Sequence, residues 1–188
     1  ELREFVNDLA RGQGNAPLRL FPAYRDLSKL QGKPDASERD LFFPDLELQA
    51  PPHPEAKSLA QDELAKFLQA QRTRFQRGLL AWLRNQIDGL KEMRQALDAL
   101  HQVASVLPEP RALWWVAAGL IDGLASGPDA GWLRNAKGLC NKIDFQMRDL
   151  ASGSKKQNEA LLREVLYAIG KCKAVTARIM SIRKLYQL

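Results

Sequence analysis

The sequence predicts an all-α fold, an up-and-down helical bundle preceded by a short helical and extended arm. Apolar residues recur at spacings of three and four through most of the chain after residue 58. No segment alternates apolar and polar residues with the period of two that is typical of strands. Short breaks rich in proline, glycine and serine separate the periodic segments, which favours antiparallel packing of consecutive helices.

Residues 1–16 are predicted to be the end of a preceding helical segment. Apolar side chains lie at helical spacing as far as Leu9, and the pattern stops at Gly12 and Gly14. The chain begins at Glu1 rather than at a methionine and shows no signal peptide. We therefore expect it to be a piece of a longer protein.

Residues 17–57 are predicted to form a helix followed by a proline-rich arm. Pro17 suits the first turn of a helix that Asn15 could cap. Residues 32–57 then contain five prolines and no sustained period. The apolar run at residues 41–46 is expected to pack on the bundle that follows.

Residues 58–172 are predicted to form the bundle itself. A first helix is expected over about 59–85 and a second over about 88–107. The break between them is predicted from Asn85 to Gly89, because Asp88 can cap a new helix and Gly89 weakens helix continuity. Apolar periodicity predicts three more helices, and their apolar stripes run from Leu113 to Leu124, from Trp132 to Leu150 and from Leu161 to Ile169. Residues 173–188 are expected to be an exit helix or linker.

Charge and composition exclude some classes of function. The net charge of +6 arises between residues 155 and 188, where eight basic residues face two acidic ones. A basic end can bind nucleic acid or an acidic partner, but no interleaved aromatic residues support nucleic acid. No apolar stretch is long enough to span a membrane.

No motif for metal, phosphate or nucleophile chemistry is present, so we predict no metal, no cofactor and no enzymatic activity for this fragment. Cys140 and Cys172 are predicted to be unpaired and semi-buried.

Several other side chains are predicted to be structural or solvated. Trp114 and Trp115 point about 100° apart on one helix, so at most one is expected to face the core fully. The arginines of the first long helix, Arg72, Arg74 and Arg77, are expected to be solvated. The charged residues before His101 are expected to be solvated as well, and these are Glu92, Arg94 and Asp98.

His101 is the one candidate for phosphoryl chemistry. It lies late in the second long helix, one step around from Leu100, and is expected to be partly exposed. A phosphoaccepting imidazole needs an accessible nitrogen, a neighbouring cation and a small residue one turn later. Ala104 and Ser105 are small, but no lysine lies within reach along this helix. A structural or surface histidine is therefore the preferred interpretation.

Three stretches carry a family resemblance. Residues 41–46 read L-F-F-P-D-L, similar to an S-L-F-x-P-D-L element, and residues 79–86 read L-L-A-W-L-R-N-Q, similar to G-L-L-R-N-Q. Residues 113–127 read L-W-W-V-A-A-G-L-I-D-G-L-A-S-G, similar to L-W-x-I-A-x-G-L-x-E-G-L-A-N-G. In this order they resemble the N-terminal region of the Chp-type chemotaxis-like hybrid histidine kinases of type IV pilus twitching systems, and the related FimL-like proteins.

The resemblance implies a cytoplasmic signalling protein that can gather at a cell pole, built from phosphotransfer-like bundles. Because the lysine and glycine of an H-x-x-K-G signature do not follow His101, it implies a degenerate, non-catalytic docking or scaffold domain. The parent protein would be a hybrid sensor histidine kinase, and the partners a response regulator, a polar scaffold protein or neighbouring domains. Two alternatives stay open: an active phosphotransfer domain using His101, and a nucleic-acid or acidic-partner binder using the basic C-terminal segment.

Overall fold

Every regular element in the part of the chain that the structure describes is helical. This computed structural model describes residues 2–11, 17–33, 36–104, 112–154 and 158–188, without the side chains of Leu9, Pro17, Leu18, Gln61, Asp62 and Ala104. The chain forms two units, Glu1–Pro44 and Asp45–Leu188. The predicted all-α helical bundle is confirmed.

In its described residues, the first unit contains two short α-helices and two 3-10 turns. Helix α1 spans Leu2–Ala10, a 3-10 turn spans Pro17–Leu20, α2 spans Phe21–Leu30, and a second 3-10 turn spans Glu38–Leu41. The α-helix predicted from Pro17 thus starts four residues later, and its proposed cap Asn15 lies outside the described residues. The Tyr24 hydroxyl donates to Asp40 Oδ2 at 3.4 Å, which joins α2 to the second turn.

The second unit begins with an extended segment, residues 45–60, which we call the strap. Six helices follow in the described part of this unit: α3 at Gln61–Leu83, α4 at Asp88–Ala104, α5 at Ala112–Ala125, α6 at Ala130–Ala151, α7 at Glu159–Lys171 and α8 at Ala177–Tyr186. The predicted helices agree with these bounds, although the predicted end of the second one at residue 107 lies outside the described residues. The unit boundary at residue 45 differs from the predicted boundary at residue 58, because the strap packs with the helices.

The break between α3 and α4 is a Schellman turn in which left-handed Asn85 follows the C-cap residue Arg84. Asn85 has φ 64°, a conformation that asparagine tolerates better than most residues. Its amide donates to Trp82 O at 2.8 Å, and the amide of Gln86 donates to Ala81 O at 3.0 Å. This pair of bonds is the Schellman motif, and it satisfies carbonyls that the end of α3 would otherwise leave unpaired. The predicted break is confirmed, and Asn85 ends α3 before Asp88 begins α4.

Side-chain caps fix the starts of the last three helices. Asp129 accepts from Trp132 N, Asn158 from Leu161 N and Thr176 from Ile179 N, at 2.9, 3.0 and 3.2 Å. Each bond pairs one of the amides that the first turn of a helix leaves without an internal partner.

Helix α5 is the centre of the second unit. Twelve of its fourteen residues are buried, and it packs against α4, α6, α7 and α8. A helix that is apolar on all sides is stable only when it is surrounded in this way. The prediction that only one of Trp114 and Trp115 could be fully buried is therefore wrong, because both are only 6% exposed.

Helix α8 is part of the bundle rather than an exit from it. Its Ile179 and Ile182 are fully buried, and it packs against α5 and α7. A Cβ added to Gly119 of α5 would lie 2.5 Å from Ile182 Cδ1, so the glycine lets the two helices approach closely. The expectation of an exit helix or linker at residues 173–188 is corrected by this packing.

Candidate functional site

The strap crosses the C-terminal end of α4 and covers His101. The His101 Nε2 atom lies 3.0 Å from the carbonyl oxygen of Pro51 in the strap. One residue further along α4, the Gln102 carbonyl accepts a hydrogen bond from the Lys57 amide at 3.2 Å. At the other end of the strap, the Tyr186 hydroxyl of α8 donates to the Leu48 carbonyl at 3.2 Å. Backbone groups of the strap are thus bonded to two helices of the bundle.

The imidazole of His101 is enclosed. It is 4% exposed, so the prediction that it would be partly exposed is wrong. The ring of His53 stands edge-on to it, with 5.4 Å between the ring centroids. Burial lowers the pKa of His101 below its ordinary value, while the hydrogen bond to the Pro51 carbonyl opposes that effect. The physical reason for the wrong prediction is that the strap packs against the margin of the apolar stripe, where Pro51 and His53 contact the ring.

Two arginines and two aspartates form an ion network beside His101. Arg178 Nη1 of α8 lies 2.7 Å from Asp98 Oδ1 of α4, and Arg178 Nε lies 3.8 Å from Asp122 Oδ2 of α5. Arg94 Nε lies 3.5 Å from Asp98 Oδ2 and 3.4 Å from Asp122 Oδ1. Burial raises the pKa of Asp122, and the two arginines oppose that effect. The network connects three helices, so the prediction of an ordinary surface charge is corrected for Asp98, whereas Arg94 is 53% exposed.

A phosphoaccepting His101 would also need a neighbouring cation, and the ion network contains one. A positive charge does lie near the ring, but Arg178 brings it from α8, which is distant in sequence. Its guanidinium contacts the carboxylates of Asp98 and Asp122. Of the small residues predicted to follow His101, Ser105 and the side chain of Ala104 lie outside the described part.

The three arginines of α3 each pair with a carboxylate, although Arg77 stays 73% exposed. Arg72 makes two hydrogen bonds to Asp144 of α6, at 3.1 and 3.2 Å, and both side chains are largely buried. Arg74 and Arg77 both donate to Glu92 of α4, at 2.9 and 2.8 Å. These bonds, from Arg74 first and Arg77 second, lower the pKa of Glu92 to about 2. The prediction of solvated charges is corrected for Arg72, Arg74 and Glu92.

The basic C-terminal segment is partly used inside the fold. Arg178 belongs to the ion network, and Arg183 donates to the backbone carbonyls of Ile169, Cys172 and Ala174. Those carbonyls belong to the last turn of α7 and the loop after it, so Arg183 pairs acceptors that the helix end leaves open.

Neither cysteine takes part in a disulfide. Cys140 and Cys172 are free and buried rather than semi-buried as predicted, and burial raises the pKa of the Cys140 thiol to about 12. Across the described ranges, no group of three or more histidine, cysteine or carboxylate side chains could hold a metal ion. No described helix is long and apolar enough to cross a membrane.

One family model matches the chain. It is described as the FimL scaffold protein second domain and matches residues 60–188, which is more than half of the sequence. The chain belongs to this FimL scaffold family. No curated protein and no solved structure matches it. The matched range contains all six helices of the second unit and begins at the last residue of the strap. The chain therefore carries a scaffold domain of pilus-related signalling.

Sequence reasoning placed His101 on the correct helix and missed what surrounds it. His53, set among prolines, showed no motif that would link it to His101. The pairing of Arg178 with Asp98 joins residues 80 positions apart in sequence, and no local sequence pattern predicts it. The one usable signal was the spacing of Asp98 and His101, which lie three residues apart and hence on the same side of α4.

Proposed function

We propose that this FimL-family chain is a non-catalytic, phosphotransfer-like docking domain of the chemosensory system that controls type IV pilus twitching motility. Its partners would be a response regulator, a polar scaffold protein or neighbouring domains of a chemosensory histidine kinase. It would act in the cytoplasm, at a cell pole when its partners gather there. The family assignment supports the scaffold role.

The enclosure of His101 is the observation that favours docking over phosphotransfer. Phosphoryl transfer needs an imidazole nitrogen that an incoming phosphoryl group can reach in line. Here Nε2 lies within hydrogen-bond distance of the Pro51 carbonyl, and the ring is 4% exposed. A phosphoryl group on Nε2 would displace the strap, and its negative charge would face that carbonyl oxygen.

A phosphotransfer assay tests this proposal. The full chain is incubated with a receiver domain phosphorylated on aspartate, and acid-labile phosphate on the chain is measured. We expect no label on the wild type, on His101→Gln or on His53→Gln. The matched control is His53→Gln, because it alters the neighbouring imidazole and leaves the candidate acceptor intact. Label that is lost in His101→Gln and kept in His53→Gln would refute the non-catalytic role.

A further inference from the structure

The strap lies on the bundle with little buried surface of its own. All of its residues are described, and Ala50 alone is buried. Backbone groups of Leu48, Pro51 and Lys57 bond to α8 and α4. The family match begins only at residue 60, so nearly all of the strap lies outside the matched domain. A segment that buries so little apolar surface can open while the rest of the fold stays intact.

Two histidines meet where the strap crosses α4. His101 Nε2 lies 3.0 Å from the Pro51 carbonyl oxygen, so this nitrogen carries a hydrogen and donates it. Within the strap, the amide of the exposed Glu55 donates to His53 Nδ1 at 3.1 Å. A backbone amide cannot accept, so Nδ1 must carry a lone pair rather than a proton to take this bond. The closed strap therefore holds the His53 ring in its neutral form.

The charges around the histidine pair disfavour an added proton. His101 faces His53 of the strap, Arg178 of α8 and Asp98 of its own helix. The Asp98 carboxylate already pairs with Arg178 at 2.7 Å and with Arg94 at 3.5 Å. The two ring centroids are 5.4 Å apart and His101 is enclosed, so water would screen little of the added charge. Burial first, and then the charges of His53 and Arg178, lower the pKa of His101, while the strap carbonyl and Asp98 oppose them.

We propose that the strap is a cover that acid releases: protonation of His53 and His101 opens it from α4 while the helices of the second unit stay folded. In the open strap both rings are solvated, and water can replace the Glu55 amide at His53 Nδ1. The open form therefore binds protons more tightly than the closed form. By linkage, closure is favoured above the ordinary histidine pKa of about 6.5 and weakens as pH falls below it. Opening would uncover His101 and the end of α4.

Hydrogen exchange measured by mass spectrometry on the full chain tests this release. The Lys57 amide is protected while it donates to the Gln102 carbonyl, so its protection reports closure of the strap. Protection is compared at pH 7.5 and pH 5.5 after correction for the intrinsic pH dependence of exchange. A histidine that takes up its proton only in the open form raises the opening constant about tenfold between these pH values.

We therefore expect the protection at Lys57 to fall about hundredfold in the wild type and about tenfold in His53→Gln and in His101→Gln. The double variant should show no fall, because the chain contains no other histidine. Glutamine at position 101 can still donate to the Pro51 carbonyl, so closure is kept. Amides of α5 should stay far better protected than Lys57 at both pH values, since the helices remain folded.

The matched control is Tyr186→Phe, which loosens the strap at a contact that does not titrate in this range. Burial, and then Asp45, raises the pKa of Tyr186 to about 12, so its hydroxyl keeps its proton at both pH values. This variant should lower the protection at Lys57 at both pH values and keep the fall between them.

Three results would overturn the proposal. The first is equal protection of Lys57 at the two pH values in the wild type. The second is a fall that persists undiminished in the double variant, since the histidines would then not be the cause. The third is exchange of α5 amides as fast as that of Lys57, because the whole unit would then open rather than the strap.

Discussion

Replacing Gly78 by alanine tests how closely α3 and α4 approach each other. A Cβ on Gly78 would lie 2.6 Å from the Gly89 carbonyl oxygen, 2.9 Å from Met93 Cγ and 3.0 Å from Glu92 Cβ. The nearest of these atoms belongs to the backbone of the opposite helix and cannot rotate away. The clash can be relieved only if the two helices move apart.

Two opposing effects determine how much Gly78→Ala changes the free energy of unfolding. Alanine is favoured over glycine inside a helix by about 1 kcal/mol. Overpacking a close contact costs about 1–3 kcal/mol, and contact with backbone places Gly78 at the upper end. We therefore expect Gly78→Ala to lower the free energy of unfolding by about 2 kcal/mol.

The measurement is urea unfolding followed by tryptophan fluorescence, which reports the second unit alone because all four tryptophans lie in it. Gly138→Ala is the matched control, since Gly138 lies inside α6 and a Cβ there meets nothing within 4 Å. The control should be more stable than the wild type by about 1 kcal/mol, so the two variants should differ by about 3 kcal/mol. A Gly78→Ala chain as stable as the control would refute the close packing of these helices.

Three further predictions concern the strap and the ion pairs. The pKa of His101 in the folded chain lies below its ordinary 6.5, so the unfolded chain takes up a proton first as pH falls. The free energy of unfolding, measured by urea unfolding from pH 7.5 to 5.5, should therefore fall below about pH 6.5. The fall should be less steep in His101→Gln. Tyr186→Phe removes the hydrogen bond to the Leu48 carbonyl and should lower the free energy of unfolding by about 1 kcal/mol. It should also speed proteolytic cleavage of the strap, and unchanged cleavage would contradict the attachment of the strap to α8. In a double-mutant cycle, Arg72→Ala and Asp144→Ala should show a coupling of about 1–2 kcal/mol, and additive effects would mean that the pair does not form in solution.

Helix positions followed from the sequence because their signals are local. The period of apolar residues and the glycines and prolines between helices all act within a few residues of one another. The apolar stripe from Leu113 to Leu124 predicted α5 as a helix, but it did not predict that both tryptophans of this helix are buried. The candidate site was less predictable, because its properties depend on segments that meet only after folding.

The sequence by itself determined that the chain is a helical bundle, where most helices begin and end, and that His101 lies near the end of the second long one. Only the tertiary structure decided that His101 is enclosed, because the strap that covers it carries no periodic pattern. It also decided that Arg178 reaches Asp98, and that α8 completes the bundle by packing on α5. Burial at the margin of an apolar stripe and the choice of ion partner both depend on which distant segment packs there, and local periodicity carries no information about that segment.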